Sequence, residues 1–256
     1  MGNIYKGRCF KMIEFVSKKE YTPFREEIET IIKKVQKLLK KDDKDLTFQF
    51  RLIGSGSRHL ITRKKSGNAG YDFDYNLIIN QNFKWKPKVR EDFLNAFQMA
   101  TKGTCFNKIK NSTSVITIKY VKGDKVVVRS DFSIIYYPDD EECDYYKYIR
   151  FNKNRQNYTW EIRNVSRFSN EKFERLLEFY PQIWNKIREE YLKLKNTNKD
   201  ENKHSFILYH EAINNIHNIF FRKRIKGYRW VLNQNIFYEK VPIFEYIPTV
   251  SIWQVM

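Results

Sequence analysis

Hydrophobic residues near the start of the chain recur with the spacing of a helix. The segment 22–41 predicts this helix, since Thr22 and Pro23 are typical of a helix start and Lys40 and Lys41 suit a C-terminal end. The apolar positions fall on one helical face, at Phe24, Ile28, Ile31, Ile32, Val35, Leu38 and Leu39. We therefore expect an amphipathic helix whose lysines face the solvent.

Strand patterns follow this helix. Alternation of apolar and polar residues, or turn residues between apolar runs, indicates strands at 47–53, 71–79, 114–121 and 125–137, and a hairpin formed by 145–151 and 158–162. Between these strands we expect a long basic loop over 58–70 and a helix over 89–101. Strands with helices among them predict an α+β domain in this half of the chain.

The pattern in the second half of the chain is helical. Residues 169–195 predict helix, and Pro181 either kinks it or begins a second one. Another amphipathic helix over 204–222 precedes an aromatic tail that we expect to be irregular from Lys226. The pattern thus predicts two domains, an α+β domain over residues 1–165 and a mostly helical C-terminal domain over residues 166–256.

The composition is strongly basic. Among 256 residues, 48 Lys and Arg stand against 30 Asp and Glu, which gives a formal net charge of +18. A basic chain attracts phosphates, but an excess of Lys, Asn, Ile, Tyr and Phe is also what an AT-rich genome encodes, so the charge alone leaves both origins open.

Several protein classes are disfavoured by the sequence. No apolar run approaches the roughly 20 residues of a membrane span, and the first residues contain no apolar secretory signal. The three cysteines, Cys9, Cys105 and Cys143, are far apart and odd in number. We therefore expect a cytoplasmic protein with no membrane association and no disulfide-linked partner.

A glycine-serine pair ends the strand over 47–53. Glycine lets a backbone approach a ligand closely, and exposed N–H groups with a serine hydroxyl can hold phosphate oxygens. The pair is Gly54-Ser55, although Gly56-Ser57 follows at once. We favour the first pair because the strand ends directly before it, while an ordinary turn remains the alternative interpretation.

Two aspartates share one face of the strand over 71–79. Asp72 and Asp74 are two residues apart, so their side chains project to the same side, while Phe73 and Tyr75 occupy the other. Two carboxylates this close repel each other unless a cation neutralises them, and Mg²⁺ prefers such oxygen ligands. The pair predicts a metal site, with a solvent-facing polar strand face as the alternative.

A third aspartate, Asp131, interrupts the apolar strand over 125–137. An acid inside such a strand is costly without a partner. Arg129 lies two residues away on the same face and offers a salt bridge. The other interpretation is a third metal ligand on a neighbouring strand.

The order of these motifs resembles the nucleotidyltransferase superfamily that shares its catalytic domain with DNA polymerase β. That family has a hydrophobic residue with Gly-Ser, then acid-x-acid on the next strand, then an acid flanked by apolar residues. The matching residues here are Ile53-Gly54-Ser55, Asp72-Phe73-Asp74 and Asp131, within a resemblance that covers roughly residues 22–137. The 16 residues between Ser55 and Asp72 exceed the family's usual spacing.

The resemblance implies a polymerase β-like mixed sheet and an Mg²⁺-dependent transfer of a nucleoside monophosphate from an NTP, such as ATP, to a hydroxyl, with release of pyrophosphate. Asp72, Asp74 and Asp131 would be the catalytic residues and the ligands of two Mg²⁺ ions, with Mn²⁺ as a substitute. The expected nucleotide-binding residues are Gly54, Ser55, Ser57 and Arg58, and further candidates for neutralising the leaving group are Arg63, Lys64 and Lys65.

The acceptor stays open at this point. A nucleotide, an RNA end, a protein side chain and a small-molecule hydroxyl all fit the implied reaction. Two alternatives to the leading hypothesis are a non-catalytic RNA-binding module on the same fold and a nucleotidyltransferase toxin that acts on RNA.

Overall fold

A computed structural model of the chain describes residues 12–42, 46–85, 88–138, 145–164, 168–200 and 202–232. The chain divides into two compact units, residues 1–217 and residues 218–256. All of the described strands belong to the first unit. They are β1 (Ile13–Phe15), β2 (Phe48–Ile53), β3 (Thr62–Lys64), β4 (Tyr71–Ile79), β5 (Lys108–Asn111), β6 (Ile116–Lys122), β7 (Lys125–Tyr136), β8 (Tyr145–Asn152) and β9 (Asn157–Asn164).

The described helices vary from one turn to 28 residues. They are α1 (Lys18–Asp42), α2 (Gly54–Ser57), α3 (Val89–Ala100), α4 (Phe168–Phe179), α5 (Ile183–Thr197) and α6 (Ser205–Leu232). A short 3₁₀ helix, Gln81–Trp85, precedes α3. Strands interspersed with helices confirm the predicted α+β fold.

The main sheet has seven strands. Its central order is β2-β4-β7-β6-β5, with β8 paired to β7 and β9 paired to β8. Strands β4 and β7 run parallel, and the other described pairs are antiparallel. A separate two-stranded sheet joins β1 to β3.

One face of the main sheet is packed against α1 and α3. Phe73 on β4 and Phe132 on β7 are fully buried in the same cluster as Ile28 of α1 and Phe97 of α3. The rings of Phe97 and Phe132 lie 4.4 Å apart between centroids. Because side chains alternate along a strand, the residues between these aromatic positions project to the opposite face of the sheet.

Helix α1 begins four residues earlier than predicted. The backbone N–H of Glu20 donates to the Ser17 hydroxyl at 3.2 Å, which is the bond of a helix N-cap. Ser17 followed by Glu20 at the third helical position is the pattern of a capping box. Pro23 therefore lies inside the helix instead of at its first position.

The basic segment 58–70 is not a continuous loop, because it contains β3. This strand pairs with β1, and Arg63 faces Glu14 across the pair with their side chains 2.9 Å apart. A strand held by a charged pair has no apolar alternation, so its pattern gives no signal of a strand. Strand β5 is equally polar and lay outside the predicted strands.

The helical half follows β9 as predicted. Pro181 lies between α4 and α5, so the chain forms two helices there. The tail from Lys226 was predicted to be irregular, which is wrong as far as Leu232, because α6 continues to that residue. The helix continues through Gly227, since one interior glycine costs a helix only about 1 kcal/mol. The predicted boundary near residue 165 stays a prediction.

Candidate active site

The pairing of β4 with β7 brings the three predicted aspartates to one face of the sheet. In this parallel pair Asp74 is opposite Asp131, and Asp72 is opposite Arg129. Directly opposite residues in neighbouring strands project to the same side. The three carboxylates therefore lie on the face that α1 and α3 leave uncovered.

Two of the carboxylates have partners on this face. The Arg129 guanidinium lies 3.7 Å from Asp72 Oδ2, and the Thr117 hydroxyl donates to Asp131 Oδ1 at 2.6 Å. The salt bridge considered for Asp131 thus belongs to Asp72 instead. With these contacts, no three His, Cys, Asp or Glu side chains of the described residues form a ready group for a metal ion.

The pKa of Asp74 is raised by its surroundings. Burial raises the pKa of its carboxyl to about 7, and the negative charges of Asp72 and Asp131 contribute in the same direction. Arg129 opposes this shift only in part. A cation bound beside Asp74 would offset both the burial of its carboxylate and the neighbouring negative charges.

Gly54 fits closely against Asp74. Its φ of +64° lies in the left-handed region, which residues with a side chain avoid. A Cβ at this position would lie 2.8 Å from Asp74 Oδ2, which is closer than real Cβ contacts. Gly56 has no positive φ, and a Cβ there would meet the side chain of Leu52 instead. The first glycine-serine pair is therefore the one beside the acids.

A cavity of about 270 Å³ opens beside the acids. Its size is near the lower end of small-molecule sites, about 300–1,000 Å³. Residues from both halves of the chain line it: Gly54, Ser55, Arg58, Leu60, Thr62, Asp72, Asp74, Tyr191, Lys195, His204, Ser205, Phe206 and Tyr209. Of the predicted nucleotide-binding residues, Ser57 lies outside this lining, and its hydroxyl donates to the Gly54 carbonyl at 3.0 Å.

Arg58 is held in place at the cavity wall. Its guanidinium donates to the Gly54 carbonyl at 3.1 Å and lies over the Tyr209 ring, 4.8 Å from the centroid. A guanidinium fixed by a carbonyl and an aromatic face keeps its remaining N–H groups directed at a ligand. This cation is therefore preorganised beside the acidic pair.

Lys195 is a second cation of the cavity, and sequence reasoning missed it. Its ammonium donates to Thr62 Oγ1 at 2.9 Å. Burial lowers its pKa, while the charge of Asp72 acts in the opposite direction. In the sequence this lysine is only the last residue of a predicted helix, and tertiary packing shows that it faces the cavity.

The first turn of α6 also lines the cavity, with His204, Ser205 and Phe206. The backbone N–H groups of Ile207 and Leu208 already bond to the His204 carbonyl. The N–H groups that precede them belong to the positive end of a long helix, which favours anions. The cavity thus combines two side-chain cations with a helix N-terminus.

The other predicted basic residues have different partners. Arg63 forms ion pairs with Glu14 and Glu20. Lys65 lies 4.0 Å from Glu14 and is exposed. Arg63 and Lys64 line a smaller neighbouring cavity, which shares Thr62, Asp72 and Lys195 with the cavity that Arg58 lines.

We compared the sequence and the structure with known proteins. No protein-family model and no curated protein matches the sequence significantly. Solved structures do match. The Vibrio cholerae dinucleotide cyclase DncV, in complex with GTP and 5MTHFGLU2, superposes with a TM-score of 0.58 at 11% identity, over 78% of this chain and 69% of that chain. The chain has the polymerase β-like nucleotidyltransferase fold.

Two further structures of the Vibrio cholerae cyclase agree with this result. Its 3′-deoxy GTP-bound form matches with a TM-score of 0.57 at 10% identity, over 78% of this chain and 67% of that chain. Its complex with the linear intermediate 5′ pppA(3′,5′)pG matches with a TM-score of 0.56 at 10% identity, over 78% and 68%. The predicted resemblance is thereby confirmed at the level of the fold.

Two remaining expectations concern the membrane and the cysteines. None of the helices in the described ranges combines the length and apolar character needed to cross a bilayer. Cys105 is a free thiol. Cys9 and Cys143 lie outside the described residues.

Proposed function

We propose that this protein is a divalent-metal-dependent nucleotidyltransferase, which moves a nucleoside monophosphate from an NTP to an acceptor hydroxyl and releases pyrophosphate. The observation that carries the proposal is the contact of Gly54, in a left-handed conformation, with the Asp74 carboxylate. It joins the glycine-serine turn and the acids in one site, at a cavity that Arg58 and Lys195 also line. The nucleotide-bound cyclase structures of the same fold support this proposal.

The acids suit hard divalent cations. Three carboxylates share one sheet face, and burial raises the pKa of Asp74, with the charges of Asp72 and Asp131 adding to the rise. Two Mg²⁺ ions held by Asp72, Asp74 and Asp131 would neutralise the triphosphate and lower the pKa of the acceptor hydroxyl.

The cations of this cavity suit the triphosphate of the donor nucleotide. Arg58 and Lys195 provide positive charge, and the first turn of α6 adds N–H groups. Ser55 contributes a hydroxyl and the turn its backbone N–H groups. These groups would bind the β- and γ-phosphates and stabilise the charge of departing pyrophosphate.

The reaction itself is an in-line displacement. The acceptor oxygen forms a bond to the α-phosphorus while the bond to the pyrophosphate oxygen breaks. The hydroxyl proton passes to Asp131 or to water, since the second oxygen of that carboxylate is not the one bonded by Thr117. Arg129 beside Asp72 would balance part of the charge that develops.

The test is metal-dependent release of pyrophosphate from each NTP, with and without added RNA. We expect release by the wild-type protein with Mg²⁺, and none after addition of EDTA or in D72A. The matched control is D124A, which removes an exposed aspartate from the β6–β7 turn and should retain activity. RNA binding without any pyrophosphate release would favour the non-catalytic alternative.

A further inference from the structure

Two rows of side chains cross the open face of the main sheet from β4 to β5. In the first row, the aligned residues are Asp72, Arg129, Lys119 and Lys108. In the second row, they are Asp74, Asp131, Thr117 and Lys110. Both rows start at the proposed metal site and become basic towards the edge of the sheet.

Among the described residues, the lysines of these rows have no acidic partners. Neither β5 nor β6 contains an Asp or Glu, and none of the described acidic side chains forms an ion pair with Lys108, Lys110 or Lys119. Lys108 and Lys110 are exposed, and Lys119 is half-buried. Lys108 and Lys119 lie directly opposite each other, and like charges in such positions destabilise a sheet. Such an arrangement is favourable once an anion binds.

The rows lie on the side of the acids away from the donor cavity. That cavity is bounded by Gly54 and Ser55, which follow β2, whereas β6 and β5 are on the other side of β4 and β7. Cations thus lie in two regions, one at the cavity and one in the rows beyond the acids. If one binds the triphosphate of the donor, the other is in position for the substrate that carries the attacking hydroxyl.

The spacing of the cations indicates a chain of phosphates. Neighbouring strands are about 4.8 Å apart, so Arg129, Lys119 and Lys108 extend over about 10 Å. Strand β5 is at the end of the central strand order, with exposed lysines, so a ligand can continue past it. A mononucleotide carries its phosphates in one cluster, whereas a strand of nucleic acid carries them at intervals.

We propose that Lys108, Lys110 and Lys119 bind the phosphodiester backbone of a single-stranded nucleic acid, whose terminal hydroxyl is the acceptor at Asp131. This inference rests on the proposed transfer reaction for the role of the hydroxyl, but the binding surface itself does not. The three lysines would position the strand through charge and would not distinguish its bases.

The experiment measures binding of a fluorescein-labelled ten-nucleotide RNA to the full chain by anisotropy, from 50 to 200 mM salt. In K108Q/K110Q/K119Q we expect about 100-fold weaker binding at 0.1 M salt and a salt slope smaller by about 2, since each contact to a single strand contributes about 0.7. The control K33Q/K37Q/K40Q removes three exposed lysines from α1, on the other side of the sheet. It should bind within threefold of the wild type.

Each outcome decides the inference. Equal RNA binding by the triple variant and the wild type would overturn it. An equal loss of RNA affinity in the α1 control would also overturn it, because the loss would then follow from net charge and not from this surface. With labelled ATP or GTP, the label should appear on the RNA, and label found only in dinucleotides would overturn the acceptor role. If the wild type transfers no label to RNA, but the triple lysine variant still binds RNA more weakly than the wild type, the proposed function fails and the binding surface stands. Melting temperatures and the single variants K108Q and K110Q exclude misfolding as the cause.

Discussion

Replacement of Gly54 by alanine perturbs the site through a single methyl group. At φ +64° an L-residue is strained by about 1–2 kcal/mol. The new Cβ would lie 2.8 Å from Asp74 Oδ2, whereas ordinary contacts begin at 3.4 Å, so the carboxylate must move by about 0.6 Å. A displacement of 1 Å in an active site can cost about 10²-fold in rate, so we expect at least about a tenfold loss.

The matched control for this variant is G123A. Gly123 has a similar φ of +59° in the β6–β7 turn, but nothing lies within 4 Å of a Cβ there. Both variants should therefore lose comparable stability from the backbone, and only G54A should lose activity. Urea denaturation measures the free energy of unfolding, and pyrophosphate release measures the reaction. Equal pyrophosphate release by the two variants would refute the proposed role of the Gly54–Asp74 contact.

Three further predictions concern other contacts of the first unit. Asn196→Ala removes both hydrogen bonds between this side chain and the Ile13 backbone, at 2.7 and 3.1 Å. The free energy of unfolding, measured by urea denaturation, should fall by about 1–2 kcal/mol. An unchanged midpoint would contradict this. Burial, and to a lesser extent Glu27, raises the pKa of the Cys105 thiol to about 12. Alkylation of this thiol at pH 8, followed by peptide mass spectrometry, should therefore be about 10³-fold slower than alkylation of a free thiol. The variant E27Q should accelerate the alkylation. Thr117→Val removes the hydroxyl bonded to the third carboxylate and should slow pyrophosphate release about tenfold, whereas T117S should retain it.

The three acids could be identified from the sequence as candidate site residues because charged side chains are unfavourable inside strands with apolar neighbours. Asp72 and Asp74 are two residues apart on one face of a strand whose other face is apolar, and Asp131 lies inside a second, largely apolar strand. Carboxylates in such positions need a partner, so local patterns suffice to identify them. The parallel pairing that aligns Asp74 with Asp131 is a tertiary property, and the family resemblance supplied it.

The cations of the site were harder to predict. Lys195 follows the polar spacing of an amphipathic helix and becomes a cavity residue only because α5 packs beside β1 and β3. Arg63 lies in a basic segment, yet it forms ion pairs with Glu14 and Glu20. In a chain with 48 basic residues, the sequence does not distinguish a lysine that binds phosphate from one that is only solvated.

Pyrophosphate release by D131N, measured beside D124N at saturating Mg²⁺ and NTP, tests most directly whether the three aligned carboxylates act as one catalytic site. Loss of one metal-binding carboxylate removes several kcal/mol of transition-state stabilisation, so we expect a rate at least about 10²-fold below the wild type. D124N should retain the wild-type rate. Release by D131N within threefold of D124N would contradict the account.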